Sequence, residues 1–191
     1  MRIFAGIFKQ KKLKTAYMVK KIIIGLFLFF WGSIAVAQST TLWVVRHAEK
    51  DTAMATRSNP DLSEIGKQRA MDLAAYLRKE NIALIYSTDT KRTKQTAAYF
   101  SAPMEIYDPK NLVELKMQVQ ENAKGKTILL IGHSNTVLET IEAFGAQRPV
   151  KVLNDDDYDY IFRVVIKKDG NTTIEAFQFG KPHRGGTKTM R

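Results

Sequence analysis

The stretch LWVVRHAE, residues 42–49, decides how this chain is interpreted. Its four apolar residues stop abruptly at Arg46 and His47, which is typical of a buried strand that ends at a functional loop. A second apolar run, TILLI at residues 127–131, is followed by a glycine and then by His133. Two strands that each lead into a histidine predict a sheet with a site beyond its strand ends.

Strand-like and helix-like stretches alternate outward from these two runs. The predicted strands are residues 42–45, 82–86, 104–107, 127–131, 160–166 and 172–179. The first predicted helix begins at residues 62–64 and is capped by Ser63. The other predicted helices cover residues 90–100, 111–122 and 136–144. Asp169 and Gly170 predict a hairpin turn between the last two strands. This order predicts an α/β fold, a three-layer αβα sandwich with a mostly parallel central sheet and a C-terminal antiparallel hairpin.

The net charge of +11 over 191 residues is misleading, because it is concentrated at one end. Residues 1–37 hold seven Lys and Arg and no acidic residue, and the remaining chain has 23 basic and 19 acidic residues, a net charge of only +4. This balance argues against a nucleic-acid partner. The chain has no Cys, which is compatible with an oxidising compartment.

Residues 1–37 have the pattern of a signal peptide. Lys20 and Lys21 precede an apolar run, residues 22–31, and Ala35-Val36-Ala37 forms a small-residue cleavage pattern before Gln38. Translation from Met18 would give a compact signal of the same type. We therefore expect an exported protein, periplasmic or secreted. The domains would be a signal peptide at 1–37, a catalytic domain at 38–180 and a flexible basic tail at 181–191. The alternative is an uncleaved anchor, which would be the protein's one link to a membrane.

Four side chains predicted at strand ends or just beyond them suit phosphoryl chemistry. Arg46 and Arg92 can hold a phosphoryl group with bidentate guanidinium contacts. A neutral imidazole such as that of His47 can accept the phosphoryl group. His133, if protonated, can donate to its oxygens. This set needs no metal or cofactor, and it predicts a small phosphorylated substrate.

Four motifs in order resemble those of the histidine phosphatase superfamily, also called phosphoglycerate mutase-like. They are VRHAE at 45–49, LSEIGKQRA at 62–70, STDTKRTKQTA at 87–97 and GHSN at 132–135. The resemblance implies that His47 is the phosphorylated nucleophile. It also implies that Arg46 and Arg92 bind the phosphate and that His133 completes the pocket.

Further substrate contacts are expected next to these residues. Backbone N–H groups of Ser134 and Asn135, at a predicted helix start, can face the phosphate. Glu49 is a candidate for the same site, where it would orient the loop or a histidine rather than transfer a proton. The third histidine, His183, lies in the tail and receives no role.

The general acid is where the sequence departs from better-known family members. Only 22 residues separate Pro103 from Lys126, so a long insertion with an acidic residue is lacking. Asp108 is the best placed candidate, and a helix cap beside Pro109 is its alternative role. Glu114 is a poorer candidate, because an acid on a helix face is usually solvated. The short segment also offers little material for a lid, which favours a phosphatase over a mutase.

Two other classes of protein remain open at this stage. A metallohydrolase could use His47, Glu49 and His133 as ligands, although Arg46 beside the metal would be unfavourable. A non-catalytic module could keep the fold and bind anions. The acidic run at residues 155–160 could bind a cation or a basic group, but we expect a solvated loop there.

Overall fold

The computed structural model describes residues 39–53 and 58–182, together with Met18, Lys20 and Lys21. The chain divides into two compact units, Met1–Ala37 and Gln38–Arg191. In the first unit, the three described residues are helical and exposed. The apolar run of the predicted signal peptide, most of the predicted tail and His183 lie outside the described residues. Within the described residues, no helix has the length and apolar character that a membrane span requires.

The second unit is built on one six-stranded sheet whose centre is parallel. The strands are β1 Thr40–Arg46, β2 Ile82–Ser87, β3 Met104–Ile106, β4 Thr127–Gly132, β5 Tyr160–Ile166 and β6 Thr172–Gln178, in the spatial order β3-β2-β4-β1-β5-β6. The first four strands pair in parallel, whereas β5 pairs antiparallel with β1 and β6 antiparallel with β5. The predicted mostly parallel sheet with a C-terminal antiparallel hairpin is therefore confirmed.

Four described helices of the second unit cover the two faces of this sheet. They are α1 Glu64–Tyr76, α2 Lys91–Ala97, α3 Leu112–Asn122 and α4 Val137–Ala143. Leu115 of α3 and Ile141 of α4 pack on one face, while Leu73 of α1 and Ala97 of α2 pack on the other. Successive strand residues point to opposite faces of the sheet. Because helices cover both faces, the side chains on both sides of the central strands are buried, and this explains their continuous apolar runs. The predicted three-layer arrangement is confirmed.

The element bounds agree closely with the prediction, and the main difference is at α2. This helix ends at Ala97, although its pattern predicted a helix to Phe100. Thr90 lies just before it, and the Thr90 side chain accepts a hydrogen bond from Thr93 N as an N-cap. The hairpin turn forms as predicted, with Gly170 at φ +84, a conformation that favours glycine.

The parallel register brings the predicted strand ends to one edge of the sheet. Arg46 at the end of β1 is paired with Gly132 at the end of β4, and Ser87 at the end of β2 is paired with Ile131. The loops that follow these three strands therefore leave the sheet side by side. This edge is where the sequence predicted a site.

Candidate active site

The loop after β1 presents His47 in a defined orientation. Its backbone N–H donates to Gly132 O at 3.0 Å, which fastens the loop to the end of β4. The ring nitrogen Nδ1 lies 2.7 Å from Ala48 O. A carbonyl oxygen only accepts, so Nδ1 carries the proton and Nε2 keeps its lone pair. Ala48 N in turn donates to Thr96 Oγ1 at 3.0 Å, which holds the loop against α2.

The surroundings of His47 favour its neutral form. Burial lowers the pKa of His47 to about 3, the hydrogen bond to Ala48 O opposes this shift, and the charges of Arg46 and Arg92 add to it. Burial also lowers the pKa of His133 to about 4, again with contributions from the two guanidinium groups. Without an anion between them, both imidazoles are therefore neutral at neutral pH. A neutral imidazole with a lone pair on Nε2 is a competent nucleophile.

Arg46 is held by hydrogen bonds to residues in the C-terminal part of the chain. Its Nη1 donates to Asn154 O at 2.8 Å and its Nη2 donates to Tyr158 Oη at 3.2 Å. The guanidinium carbon lies 3.9 Å from the centre of the Tyr158 ring, which is a cation–π distance. The same ring lies 6.0 Å from the His47 ring, centre to centre. Tyr158 is thus a wall of the site that sequence analysis did not identify.

The expectation of a solvated loop at residues 155–160 is wrong for its middle part. Asp157, Tyr158 and Asp159 are buried. The Asp157 carboxylate accepts from Asn154 N at 2.7 Å and from Asn154 Nδ2 at 2.9 Å. This closes the turn that presents Asn154 O to Arg46. The acidic run is therefore a scaffold for Arg46, and only its first part, Asp155 and Asp156, is exposed.

Arg92 and His133 meet on the opposite side of the site. Arg92 Nη2 lies 3.3 Å from His133 Nδ1, and His133 Nε2 lies 2.8 Å from Thr88 Oγ1. A guanidinium only donates, so Nδ1 accepts and the proton of the neutral ring is on Nε2. The rings of His47 and His133 are 5.3 Å apart, centre to centre. The structure therefore brings Arg46, His47, Arg92 and His133 together, as the sequence predicted.

Two buried donors of the site have no hydrogen-bond acceptor in the described part of the chain. They are the Nε–H groups of Arg46 and Arg92. Buried polar groups nearly always have a hydrogen-bond partner, so these two donors are available to a group bound between them. Because both belong to guanidinium groups that flank a neutral imidazole, the ligand they suit is an oxyanion.

Glu49 holds the loop to helix α1. Its carboxylate lies 2.7 Å from Arg69 Nε in a pair that is almost fully buried, and its carbonyl accepts from Ser63 N at 2.9 Å. A Cβ atom at Gly66 would lie 2.1 Å from that carbonyl oxygen, which explains why this position is glycine. The geometry fits the predicted role of orienting the loop, and a direct substrate contact by Glu49 stays a prediction.

The remaining predicted site residues lie at the rim. Asn135 is exposed and lines a cavity together with His133, while Ser134 is half-buried. Their predicted backbone contacts with a phosphate stay a prediction. Asp108 is exposed and its Oδ1 accepts from Lys110 N at 2.9 Å, so it caps the turn after β3. The helix cap that the sequence offered as its alternative role is wrong, because the N-cap of α3 is Asn111.

The ligands proposed for a metallohydrolase do not form a site. Among residues 39–53 and 58–182, no group of three or more His, Asp or Glu side chains is arranged to hold a metal ion. The carboxylate of Glu49, needed as the third ligand, is instead engaged by Arg69. The arrangement of side chains favours an oxyanion site over a metal site.

The lowered histidine pKa values predict an unusual titration. In the free protein, we expect neither His47 nor His133 to titrate between pH 8 and about 5, because each has a pKa near 3 to 4. Bound inorganic phosphate should raise the pKa of His133, since a nearby negative charge favours the imidazolium. Proton NMR of the ring resonances, assigned with His47→Ala and His133→Ala, measures both. A midpoint near 6.5 for either ring in the free protein would contradict the predicted burial.

The same shifts have a consequence for stability. Below pH 6.5 the unfolded chain binds protons on these two histidines that the folded protein excludes. We therefore expect the free energy of unfolding to decrease as the pH falls from about 6.5 toward 3.

These features define an α/β protein whose sheet edge presents a neutral imidazole between two guanidinium groups, a site suited to an oxyanion. Residues 42–131 match the family model of the histidine phosphatase superfamily (branch 1). The model covers β1 to β4 and includes Arg46, His47 and Arg92. Over residues 42–131 the chain is therefore similar to the histidine phosphatase superfamily.

One curated relative is similar in sequence over part of its length. Phosphoserine phosphatase 1 of Hydrogenobacter thermophilus is 42% identical over 79 residues, which are 39% of this chain and 35% of that protein. The match therefore spans about a third of the relative.

Solved structures resemble the described fold over most of their own length. YhfR of Bacillus stearothermophilus has a TM-score of 0.59 at 17% identity, covering 76% of this chain and all of that one. Phosphoserine phosphatase from Entamoeba histolytica has a TM-score of 0.58 at 14% identity, covering 75% and 98%. The protein histidine phosphatase SixA complexed with tungstate has a TM-score of 0.57 at 19% identity, covering 72% and 96%. At these identities the likeness concerns the fold.

Proposed function

We propose that this protein is a phosphatase that hydrolyses phosphomonoesters through a phosphohistidine on His47. The observation that carries the proposal is the 2.7 Å distance from His47 Nδ1 to Ala48 O, which assigns the proton to Nδ1 and leaves the lone pair on Nε2. Phosphatase activity in the curated relative and in two of the structural relatives supports the same reaction class.

The proposed reaction has two steps. In the first, His47 Nε2 attacks phosphorus and the bond to the leaving oxygen breaks. In the second, water attacks the phosphohistidine and releases inorganic phosphate. Arg46 and Arg92 bind the equatorial oxygens and neutralise the charge that develops there. His133, once the anion raises its pKa and Nδ1 is protonated, donates a hydrogen bond from Nδ1 to a phosphoryl oxygen.

Hydrolysis rather than transfer to a second hydroxyl is part of the proposal. A mutase must exclude water from its intermediate. The segment between β3 and β4 is short and is mostly helix α3, so it provides little material for a lid. We also propose that the reaction needs no metal or cofactor, because the guanidinium groups supply the positive charge.

The test is hydrolysis of an aryl phosphate by the full-length chain in excess chelator, beside a His47→Ala variant. We expect activity that survives the chelator and is lost in the variant. Activity that disappears with the chelator would contradict metal independence. A folded protein that binds vanadate but hydrolyses no phosphate ester would instead indicate an anion-binding module.

We further propose that the protein is exported and works on a small phosphorylated substrate outside the cytoplasm, without a nucleic-acid partner. The support is the sequence pattern of residues 1–37. Expression in a bacterium, followed by fractionation and N-terminal sequencing, tests this. We expect the mature protein to start at Gln38 outside the cytoplasm, and an intact leader in the cytoplasm would overturn the proposal.

Tyr158 should contribute to substrate binding through Arg46. Tyr158→Phe keeps the ring against the guanidinium but removes the hydroxyl that accepts from Nη2. A hydrogen bond to a charged group contributes roughly 1.5–3 kcal/mol, so we expect kcat/KM to fall about tenfold or more. Steady-state kinetics with an aryl phosphate measure the loss. Tyr160→Phe, on a ring that stacks with Phe162, is the matched control, and an equal loss there would contradict the specific role.

A further inference from the structure

A cavity of about 520 Å³ adjoins His133. Its lining combines residues 109–113, from the turn after β3 and the start of α3, with His133, Asn135, Thr136 and Glu139. His133 also lies next to His47. When the phosphoryl group of a substrate binds at His47, its leaving group can therefore extend into this cavity. The cavity thus provides space beside the site for the rest of a substrate.

The two acids first considered as proton donors are committed elsewhere. Asp108 caps the turn at Lys110 N and does not line the cavity. Glu114 accepts from Asn111 Nδ2 at 2.8 Å and also does not line it. Glu139, on the first turn of α4, is the one carboxylate among the described lining residues.

The local sequence offers Glu139 a structural role that the fold does not use. Thr136-Val137-Leu138-Glu139 has the Thr-x-x-Glu pattern of a capping box, in which the glutamate would accept from the threonine backbone N–H. Here Thr136 N donates to His133 O at 3.0 Å instead. The Thr136 hydroxyl accepts from His133 N at 3.1 Å and does not cap α4. Glu139 is exposed and lines the cavity.

We propose that Glu139 is the general acid that protonates the leaving group. This inference rests on the proposed phosphatase function and names a residue that acts in it. His47 Nε2 forms the bond to phosphorus as the bond from phosphorus to the ester oxygen breaks. The electron pair of the broken bond stays on that oxygen, which takes the proton of the Glu139 carboxyl and leaves as an alcohol.

The second step restores both groups. The Glu139 carboxylate takes a proton from water as the water oxygen bonds to phosphorus. The bond from phosphorus to Nε2 breaks, its electron pair returns to His47, and phosphate departs. An acid of this kind extends the substrate class to alkyl phosphates, whose alkoxide leaving groups need a proton.

The test is the dependence of the rate on the leaving group in Glu139→Gln, using the full-length chain. We expect kcat for an alkyl ester such as glycerol phosphate or phosphoserine to fall about a hundredfold. We expect kcat for 4-nitrophenyl phosphate, whose leaving group needs no proton, to change less than threefold. The control is Glu121→Gln on α3, since Glu121 is exposed and does not line the cavity. It should leave both rates unchanged.

Each other outcome overturns the inference in a distinguishable way. Equal losses on both substrates, or none on either, would exclude Glu139 as the acid while the wild-type rates still support a phosphatase. Loss of alkyl phosphate hydrolysis in Asp155→Asn but not in Glu139→Gln would place the acid on the Arg46 side, where Asp155 acts on that guanidinium. Wild-type protein that hydrolyses neither ester would overturn the proposed function itself.

Discussion

Replacing His47 by Ala should leave a folded protein whose hydrolysis of phosphate esters is at least about a thousandfold slower, because the atom that receives the phosphoryl group is gone. Fold and phosphate binding should survive. The loop is held by backbone hydrogen bonds from His47 N to Gly132 O and from Ala48 N to Thr96 Oγ1, and neither needs the imidazole. Steady-state rates with an aryl phosphate, beside thermal unfolding and vanadate binding, measure the three properties.

The intermediate gives a second readout of the same prediction. Wild-type protein quenched in base during turnover of a labelled substrate should retain label on a histidine, since phosphohistidine survives base, whereas His47→Ala should retain none. Added imidazole should restore part of the rate by occupying the vacated position. His183→Ala, which removes the third histidine of the chain, is the matched control and should keep the wild-type rate. Label that persists in His47→Ala would place the nucleophile elsewhere.

The site could be predicted from the sequence where its residues follow strands. Arg46 and His47 come directly after an apolar run, and His133 follows another, so the parallel pairing of β1 and β4 was enough to bring them together. Arg92 needed the family motif. On its own, an arginine near the start of a helix is usually solvated, and the hydrogen bond to His133 forms across 41 residues.

The residues that the sequence missed owe their positions to long-range contacts. Tyr158 reaches Arg46 across 112 residues. Its neighbours Asp157 and Asp159 gave this segment the composition of a solvated loop. The carboxylate of Asp157 is buried because Asn154 supplies two donors to it. The acidic composition indicates that burying this carboxylate costs free energy. It does not show the turn whose hydrogen bonds offset that cost.

Glu139 was overlooked for a different reason. The pattern from Thr136 to Glu139 is that of an ordinary helix start. The sequence gives no sign that the capping hydrogen bonds do not form. That depends on the tight turn after β4, in which His133 O accepts from both Thr136 N and Val137 N at 3.0 Å. The turn is needed to present His133, so the same geometry that builds the site also keeps Glu139 out of a cap.

The buried pair of Glu49 and Arg69 should give the largest effect on stability. Arg69→Met leaves the Glu49 carboxylate buried without its cation, and we expect the free energy of unfolding to fall by about 3–5 kcal/mol. Adding Glu49→Gln to this variant should recover part of the loss, because it removes the buried charge that Arg69 no longer balances. Recovery stays incomplete, since Arg69 also donates to Lys181 O at 3.0 Å. Urea unfolding of the single and double variants measures the coupling.

An exposed pair of the same kind provides the comparison. Arg163 and Glu175 are 3.0 Å apart, with side chains 41% and 55% exposed, so Arg163→Met should cost at most about 1 kcal/mol. Kinetics of the same variants then separate the two roles open to Glu49. If it positions the loop that carries His47, Glu49→Gln and Arg69→Met lower kcat together with little change in KM. A rise in KM with Glu49→Gln alone would instead show that its carboxylate contacts the substrate, and the pair with Arg69 would then be secondary to binding.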